Sequence, residues 1–142
     1  MNFIRMCRVA ACVFLWLSAS AEAAVSIDGL RVWRAPDHTR LVLDLSGPVS
    51  HKIFLLKNPE RLVIDIGDTR LKTKLSSLDL DNTPIDKVRS AARNNKDLRV
   101  VLDLSKAVKP KSFTLKRHGG KSDRLVVDLF DVGASKVHKK EI

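Results

Sequence analysis

The sequence contains no tyrosine, few other aromatic residues and only two cysteines. Aromatic side chains make up 5% of the 142 residues, so platforms on which sugars or bases could stack are scarce. The two cysteines are Cys7 and Cys12, and the rest of the chain has no thiol for a disulfide, a nucleophile or a metal site. Beyond Cys12 the chain therefore offers neither a disulfide scaffold nor a cysteine nucleophile.

The chain also lacks an apolar run long enough to cross a bilayer, which takes roughly 20 residues in a helix. Its longest run is Val9–Leu17, which follows a positively charged segment and precedes Ala21-Glu22-Ala23. That order of features is typical of a secretory signal peptide with an A-x-A cleavage site. Residues 1–23 are therefore predicted to direct export through the general secretory route to the periplasm. Cleavage would remove both cysteines and leave no membrane anchor.

The histidines and serines show no catalytic or metal-binding pattern. The four histidines are His38, His51, His118 and His138, and none forms an H-E-x-x-H or similar pair. No serine lies in the G-x-S-x-G context of a hydrolase nucleophile. The sequence therefore predicts no catalytic residue, no metal site and no cofactor.

Basic residues outnumber acidic ones, 26 to 16, which gives a formal net charge of +10. An exported basic domain will be attracted to the anionic polymers of a cell envelope. The positive net charge also suggests nucleic-acid binding as an alternative function. Export argues against it, as does the lack of basic strands interleaved with aromatic residues of the RRM or OB type.

One hexapeptide pattern, Arg, three apolar residues, Asp and a further apolar residue, occurs four times. The copies are RLVLDL (Arg40–Leu45), RLVIDI (Arg61–Ile66), RVVLDL (Arg99–Leu104) and RLVVDL (Arg124–Leu129). Side chains alternate between the two faces of a strand, so each hexamer directs an aliphatic triple to one face and Arg-Val-Asp to the other. We expect the aliphatic triples to form the core and the charged triples to lie outside.

The repetition extends to a duplication of the whole domain. Val42–Lys57 aligns without gaps with Val101–Lys116, with ten identities in sixteen positions. Each copy, at about 25–68 and 83–131, is predicted to contain four strands in the same order, separated by turn residues. One copy alone would leave an apolar sheet face uncovered, and two copies can cover each other. The predicted fold is an all-β sandwich of two symmetric four-stranded sheets, one from each copy.

The predicted sandwich domain covers residues 24–131, and residues 132–142 are expected to be a polar tail or the beginning of a linker. The segment between the copies, Thr69–Asn82, is compatible with a short connecting helix. Its leucines lie at helical spacing: Leu71, Leu75 and Leu78. Phe54 and Phe113 occupy equivalent positions of the two copies and are expected in the core.

Three stretches resemble the AMIN domain: TRLVLDL (Thr39–Leu45), FLLKNPERLVIDI (Phe54–Ile66) and RLVVDLFD (Arg124–Asp131). The likeness covers Ile27–Asp131 and includes the duplication. AMIN domains form the N-terminal part of exported N-acetylmuramoyl-L-alanine amidases and also occur in secretins of pilus machinery. The resemblance implies two symmetric four-stranded sheets, peptidoglycan binding and delivery to the division septum.

In those amidases a zinc-dependent catalytic domain follows, and its His and Glu ligands have no counterpart in this sequence. The resemblance therefore implies a non-catalytic module that binds peptidoglycan, with division or envelope-complex proteins as further partners. An alternative is an assembly module of a secretin-like envelope complex, which would bind protein partners or septal wall.

The Arg-Val-Asp faces have two interpretations, which are compatible with each other. In a cross-strand ladder, Arg and Asp of antiparallel neighbours pair and contribute roughly 0.2–1 kcal/mol per pair. On a ligand face, Arg donates bidentate bonds to peptidoglycan carboxylates, and Asp accepts from amides and hydroxyls. The candidate ligand-binding residues are Arg40, Asp44, Arg61, Asp65, Arg99, Asp103, Arg124 and Asp128, together with Trp33. For Trp33, core packing is the favoured expectation, with a partly exposed ligand contact as the alternative.

Overall fold

The computed structural model describes residues 23–133, and nine strands supply nearly all the regular structure of this part of the chain. They are β1 (Val25–Arg34), β2 (His38–Leu45), β3 (His51–Leu56), β4 (Arg61–Ile66), β5 (Thr69–Leu71), β6 (Ile85–Arg93), β7 (Asp97–Leu104), β8 (Val108–Leu115) and β9 (Asp123–Asp131). Residues 1–22 of the predicted signal peptide and 134–142 of the predicted tail lie outside the described residues. Within 23–133 no helix is long and apolar enough to cross a membrane.

The strands form two sheets, which confirms the predicted all-β sandwich. The first sheet has five strands in the order β5-β1-β2-β9-β8, and the second has four in the order β3-β4-β7-β6. Between them lies one hydrophobic core, to which all four hexamers contribute their aliphatic triples. The inward residues of the hexamers are buried: Leu41, Leu43, Leu45, Leu62, Ile64, Ile66, Val100, Leu102, Leu104, Leu125, Val127 and Leu129.

Each sheet takes two strands from each copy, so the expectation of one sheet per copy is wrong. The first sheet joins β1 and β2 of the first copy to β9 and β8 of the second, and the second sheet joins β6 and β7 to β4 and β3. The links between β2 and β3 and between β7 and β8 carry the chain from one sheet to the other, so each copy contributes to both sheets. At the centre of each sheet two hexamers of different copies lie antiparallel, β2 against β9 and β4 against β7, and each hexamer Arg comes opposite an Asp.

The segment between the two copies differs in two details from the prediction. The first sheet gains a fifth strand because Thr69–Leu71 pairs in parallel with the beginning of β1. The leucine spacing that suggested a helix yields only a three-residue 3-10 turn at Leu75–Ser77. Leu75 and Leu78 still pack against the core, as an amphipathic cover would.

The hairpin between β6 and β7 turns on Asn94 and Asn95, as the sequence predicts. Both residues have positive φ, 52° and 54°, and the amide of Lys96 donates to the carbonyl of Arg93 at 3.2 Å. Two consecutive left-handed residues match the twist of the flanking strands, and asparagine tolerates this conformation better than most residues. The turn therefore fixes the register that brings β6 beside β7.

Candidate ligand-binding faces

The outer face of each sheet carries three rows of side chains that cross its four long strands. In the first sheet the rows are Trp33, Arg40, Asp128 and Lys111; Arg31, Val42, Val126 and Phe113; and Gly29, Asp44, Arg124 and Leu115. In the second sheet they are Ala91, Arg99, Asp65 and Lys52; Arg89, Val101, Val63 and Phe54; and Lys87, Asp103, Arg61 and Leu56. The two faces therefore repeat one pattern, and they differ only at the positions of Trp33 and Gly29.

A bidentate ion pair lies at the centre of each face. Arg40 donates from Nε and Nη2 to the two carboxylate oxygens of Asp128, at 2.7 and 2.8 Å. Arg99 and Asp65 repeat these bonds at the same two distances. The carboxylates are shielded, since the side chains of Asp128 and Asp65 are 5% and 12% exposed. Four of the candidate residues thus brace neighbouring strands of different copies.

A second ion pair on each face involves an arginine that the hexamers do not contain. Arg31 donates to both oxygens of Asp44 at 3.2 and 2.9 Å, and Arg89 donates to both oxygens of Asp103 at 2.8 Å. These arginines are not identified by the hexamer pattern. Their equivalent places in IDGLR and IDKVR, at Ile27–Arg31 and Ile85–Arg89, are the signal that could have found them.

These four pairs leave Arg61 and Arg124 without a carboxylate partner within 4.0 Å among residues 23–133. In register Arg61 lies opposite Asp103 and Arg124 opposite Asp44, but the second ion pair already engages each carboxylate. Arg61 Nε donates to the carbonyl of Pro59 at 3.2 Å. Arg124 Nε is buried and has no hydrogen-bond partner in the described chain. These two equivalent arginines therefore retain guanidinium donors that the ladder does not use.

Phe54 and Phe113 lie on the outer faces, so the expectation that they belong to the core is wrong. Each is paired with a valine of the outer face, and Phe54 is 38% exposed. The guanidinium carbon of Arg99 lies 5.7 Å from the Phe54 ring centre, and that of Arg40 lies 5.7 Å from Phe113. A cation–π contact gives each ring a partner outside the core and holds the arginine of the central ion pair in place.

Trp33 is also on the outer face, 43% exposed, so its expected packing in the core is wrong. Its register partner is Arg40, and the guanidinium carbon of Arg31 lies 5.9 Å from its ring. An exposed indole beside cationic side chains is able to contact a ligand, and that role for Trp33 remains a prediction. The equivalent position of the second face is Ala91, so any such contact is confined to the first sheet.

Acid is expected to weaken the fold because arginine partners hold carboxyl pKa values down. Hydrogen bonds from Arg99 and Arg89 lower the pKa of Asp65 and Asp103, respectively, and the partner Arg34 does the same for Asp131. The stability that these pairs contribute is fully present above the unfolded-state pKa of about 4 and is lost as the pH falls through the lower folded-state values.

The measurement for this prediction is the urea midpoint of unfolding at pH 5 and pH 2.5, which should be lower at pH 2.5. Arg89→Gln removes the principal partner of Asp103, so its midpoint should fall less steeply with pH than that of the wild type. A midpoint independent of pH, or an equal slope in the variant, would contradict the assignment.

The histidines are dispersed, as their sequence spacing indicates. His38 contacts Asp37 at 2.7 Å, and His51 Nε2 lies 2.9 Å from Ser112 Oγ across the open edge of the sandwich. In the part of the chain that the structure describes, no three His, Cys, Asp or Glu side chains are grouped as metal ligands would be. The two outer faces therefore remain the candidate ligand-binding surfaces.

Comparison with known proteins places residues 29–135 within a family model, that of the AMIN domain. The chain is 34% identical over 128 residues to the N-acetylmuramoyl-L-alanine amidase AmiC of Escherichia coli O6:H1, covering 84% of this chain and 31% of that protein. It is 32% identical over 119 residues to the amidase AmiC of Neisseria meningitidis serogroup B, covering 81% of this chain and 29% of that protein. The chain thus spans less than a third of the length of each of these curated relatives.

Proposed function

Because the chain belongs to the AMIN domain family, we propose that it is an exported, non-catalytic module that binds peptidoglycan and targets its bearer to the division septum. Both relatives are named for a bond of this polymer, the one between N-acetylmuramic acid and L-alanine. The part of each relative that this chain resembles is a minority of its length. The proposal therefore assigns recognition of the polymer to this domain and cleavage to a domain elsewhere.

The observation that carries the proposal is the pair of equivalent arginines, Arg61 and Arg124, whose donors the ladder leaves unused. Peptidoglycan presents carboxylates, amides and hydroxyls, and a guanidinium fork matches a carboxylate in geometry as well as charge. The neighbouring side chains are already locked by ion pairs, so a ligand would meet a pre-organised surface and little ordering entropy would oppose binding.

The duplication gives the domain two similar faces on opposite sides of the sandwich. A polymer with a repeating unit is able to occupy both, either from two strands or from one that bends around the domain. Two linked sites raise overall binding strength well above that of either alone when the geometry permits both to engage. A module built this way is suited to an extended wall better than to a small soluble ligand.

A sedimentation assay with dye-labelled sacculi tests binding and catalysis together. The purified domain should sediment with sacculi at 0.1 M salt and in part at 0.5 M, where the Debye length of roughly 4 Å screens diffuse attraction. Binding to sheared DNA should be lost at 0.5 M. In the presence of zinc, no dye should be released.

Different results of this assay would contradict the lack of catalysis, the specificity of binding and the choice of peptidoglycan as the partner. Zinc-dependent release of dye would contradict the non-catalytic assignment. Loss of sacculus and DNA binding together at 0.5 M salt would reduce the domain to a general polyanion binder. Failure to sediment at 0.1 M salt would favour the assembly-module alternative, in which the partner is a protein.

A further inference from the structure

A pocket of about 320 Å³ opens on the outer face of the first sheet, beside one of the two arginines with unused donors. Its lining residues are Arg31, Asp44, Gly120, Lys121, Ser122 and Arg124. Three of these side chains are cationic and one is a carboxylate, which Arg31 already binds through two hydrogen bonds. Lys121 and Arg124 are therefore the charges that the pocket leaves uncompensated.

The two faces differ at this place in how the equivalent arginine is satisfied. In the second sheet the short link between β3 and β4 brings the carbonyl of Pro59 to 3.2 Å from Arg61 Nε. The link between β8 and β9 is longer, and Arg124 Nε is buried there without a hydrogen-bond partner among the described residues. Arg124 Nε is itself shielded from solvent, so a ligand oxygen in the pocket would meet the guanidinium through its two Nη groups, for which the described chain provides no carboxylate within 4.0 Å.

The longer link is an ordered turn that holds its side chains at the pocket. Gly119 and Gly120 have positive φ, 56° and 76°, and the amides and carbonyls of His118 and Lys121 bond each other at 3.0 and 3.1 Å. A Cβ at either glycine would meet no neighbouring atom within 4 Å, so the glycines serve the backbone conformation rather than packing. The turn contributes Gly120, Lys121 and Ser122 to the lining of the pocket that Arg124 also lines.

The chemistry of the lining favours a monoanion. A carboxylate has two oxygens that match the guanidinium fork, and Lys121 and Ser122 provide further donors. Asp44 lines the same pocket, so a dianion such as a phosphate monoester would meet more repulsion than a carboxylate does. The volume is sufficient for the last one or two residues of a peptide.

We propose that this pocket binds the free carboxylate at the end of a peptide, with Arg124 and Lys121 as its charge partners and Ser122 as a neutral donor. The assignment rests on the proposed function, because stem peptides of the wall are the source of such a carboxylate. Under this assignment the outer face of the first sheet binds peptide C-termini. The two otherwise similar faces then have different functions.

The probe is N-acetyl-L-lysyl-D-alanyl-D-alanine, and its C-terminal amide is the matched control ligand. Titration calorimetry or NMR titration should show at least tenfold weaker binding of the amide. Arg124→Gln and Lys121→Gln should each weaken binding of the acid at least fivefold. The control variant Arg70→Gln removes the same charge from an exposed position of β5 and should leave the affinity unchanged.

Three outcomes would overturn the assignment: equal affinity for acid and amide, no loss in Arg124→Gln and Lys121→Gln, or displacement of the tripeptide by inorganic phosphate at lower concentration than by acetate. Thermal unfolding of each variant shows whether it is folded, and Lys121→Gln tests the pocket if Arg124→Gln is not. Sedimentation of the wild type with sacculi separates the two proposals. If the wild type sediments with sacculi but does not bind the tripeptide, only the assignment of the pocket is rejected. If it does not sediment with sacculi, the proposed function is rejected.

Discussion

Replacing Arg40 with alanine is expected to lower the free energy of unfolding by about 2–3 kcal/mol, less than the cost of removing one partner of a fully buried ion pair, because the Arg40 side chain is itself 33% exposed. The side chain of Asp128, which receives both hydrogen bonds from Arg40, is 5% exposed. Without the guanidinium its carboxylate would stay buried with no bidentate partner. The loss of the contact between Arg40 and the Phe113 ring adds to the effect.

The equivalent substitution in the second sheet should cost less. Arg99→Ala leaves Asp65 with a hydrogen bond from Arg93 at 2.8 Å, and Asp65 is more exposed than Asp128. Arg124→Ala removes an arginine that holds no carboxylate, so it should cost at most about 1 kcal/mol. The predicted order of destabilisation is therefore Arg40, then Arg99, then Arg124.

Urea unfolding at pH 7 gives these free energies. Combining Arg40→Ala with Asp128→Asn should recover part of the loss, because the buried charge is then absent. Equal costs for Arg40→Ala and Arg124→Ala would show that the central ion pair is not the element that braces β2 against β9. A double variant no more stable than Arg40→Ala would lead to the same conclusion.

The core of this fold is predictable from the sequence because strand alternation decides which face a residue occupies. Leu41, Leu43 and Leu45, for example, share the inward face that the RLVLDL pattern assigns to them, and each is buried. The same alternation places Arg40 outside and, in an antiparallel pair, opposite an aspartate. Both predictions depend only on the two-residue period of side chains along a strand and on the antiparallel direction of the neighbouring strand.

The choice of neighbours is not predictable in the same way. A hexamer buries the same residues whether it pairs within its own copy or with the other copy, so hydrophobic pattern does not distinguish one sheet per copy from shared sheets. The observed arrangement depends on links such as Ser46–Ser50, which carry the chain from one sheet to the other. Those links are short and carry no period that would reveal the crossing.

The sequence is equally unable to predict which arginine pairs with which aspartate on the outer faces. Asp44 lies between Arg31 on one neighbouring strand and Arg124 on the other, and register alone allows either to bind it. Hydrophobicity alone predicts Phe54 and Trp33 in the core, but both lie on the outer faces. Their register partners lie on the charged face, and cation–π contacts with arginine stabilise them there.

The combined substitution of Arg61 and Arg124 by alanine is expected to weaken sacculus binding by roughly 1.5–3 kcal/mol per arginine, the scale of a lost hydrogen bond to a charged group. Each 1.4 kcal/mol is a tenfold change in affinity, so the double variant should bind at least about a hundredfold more weakly. Its melting curve should barely move, because neither arginine holds a carboxylate partner within 4.0 Å among residues 23–133.

A charge-matched control separates specific contacts from general attraction. Arg70→Ala with Lys72→Ala also removes two positive charges, from exposed positions at and just after β5. If net charge alone drew the protein to the wall, both double variants would lose the same amount of binding, and the loss would vanish at high salt.

The most direct test is therefore sedimentation with sacculi in 0.5 M salt, comparing the wild type, the Arg61→Ala/Arg124→Ala variant and the Arg70→Ala/Lys72→Ala control. The wild type and the control should retain a measurable bound fraction, because bidentate contacts survive screening better than diffuse attraction does. The Arg61→Ala/Arg124→Ala variant should lose that fraction. Identical salt curves for all three proteins would contradict the claim that the unused arginine donors of the two faces bind the wall.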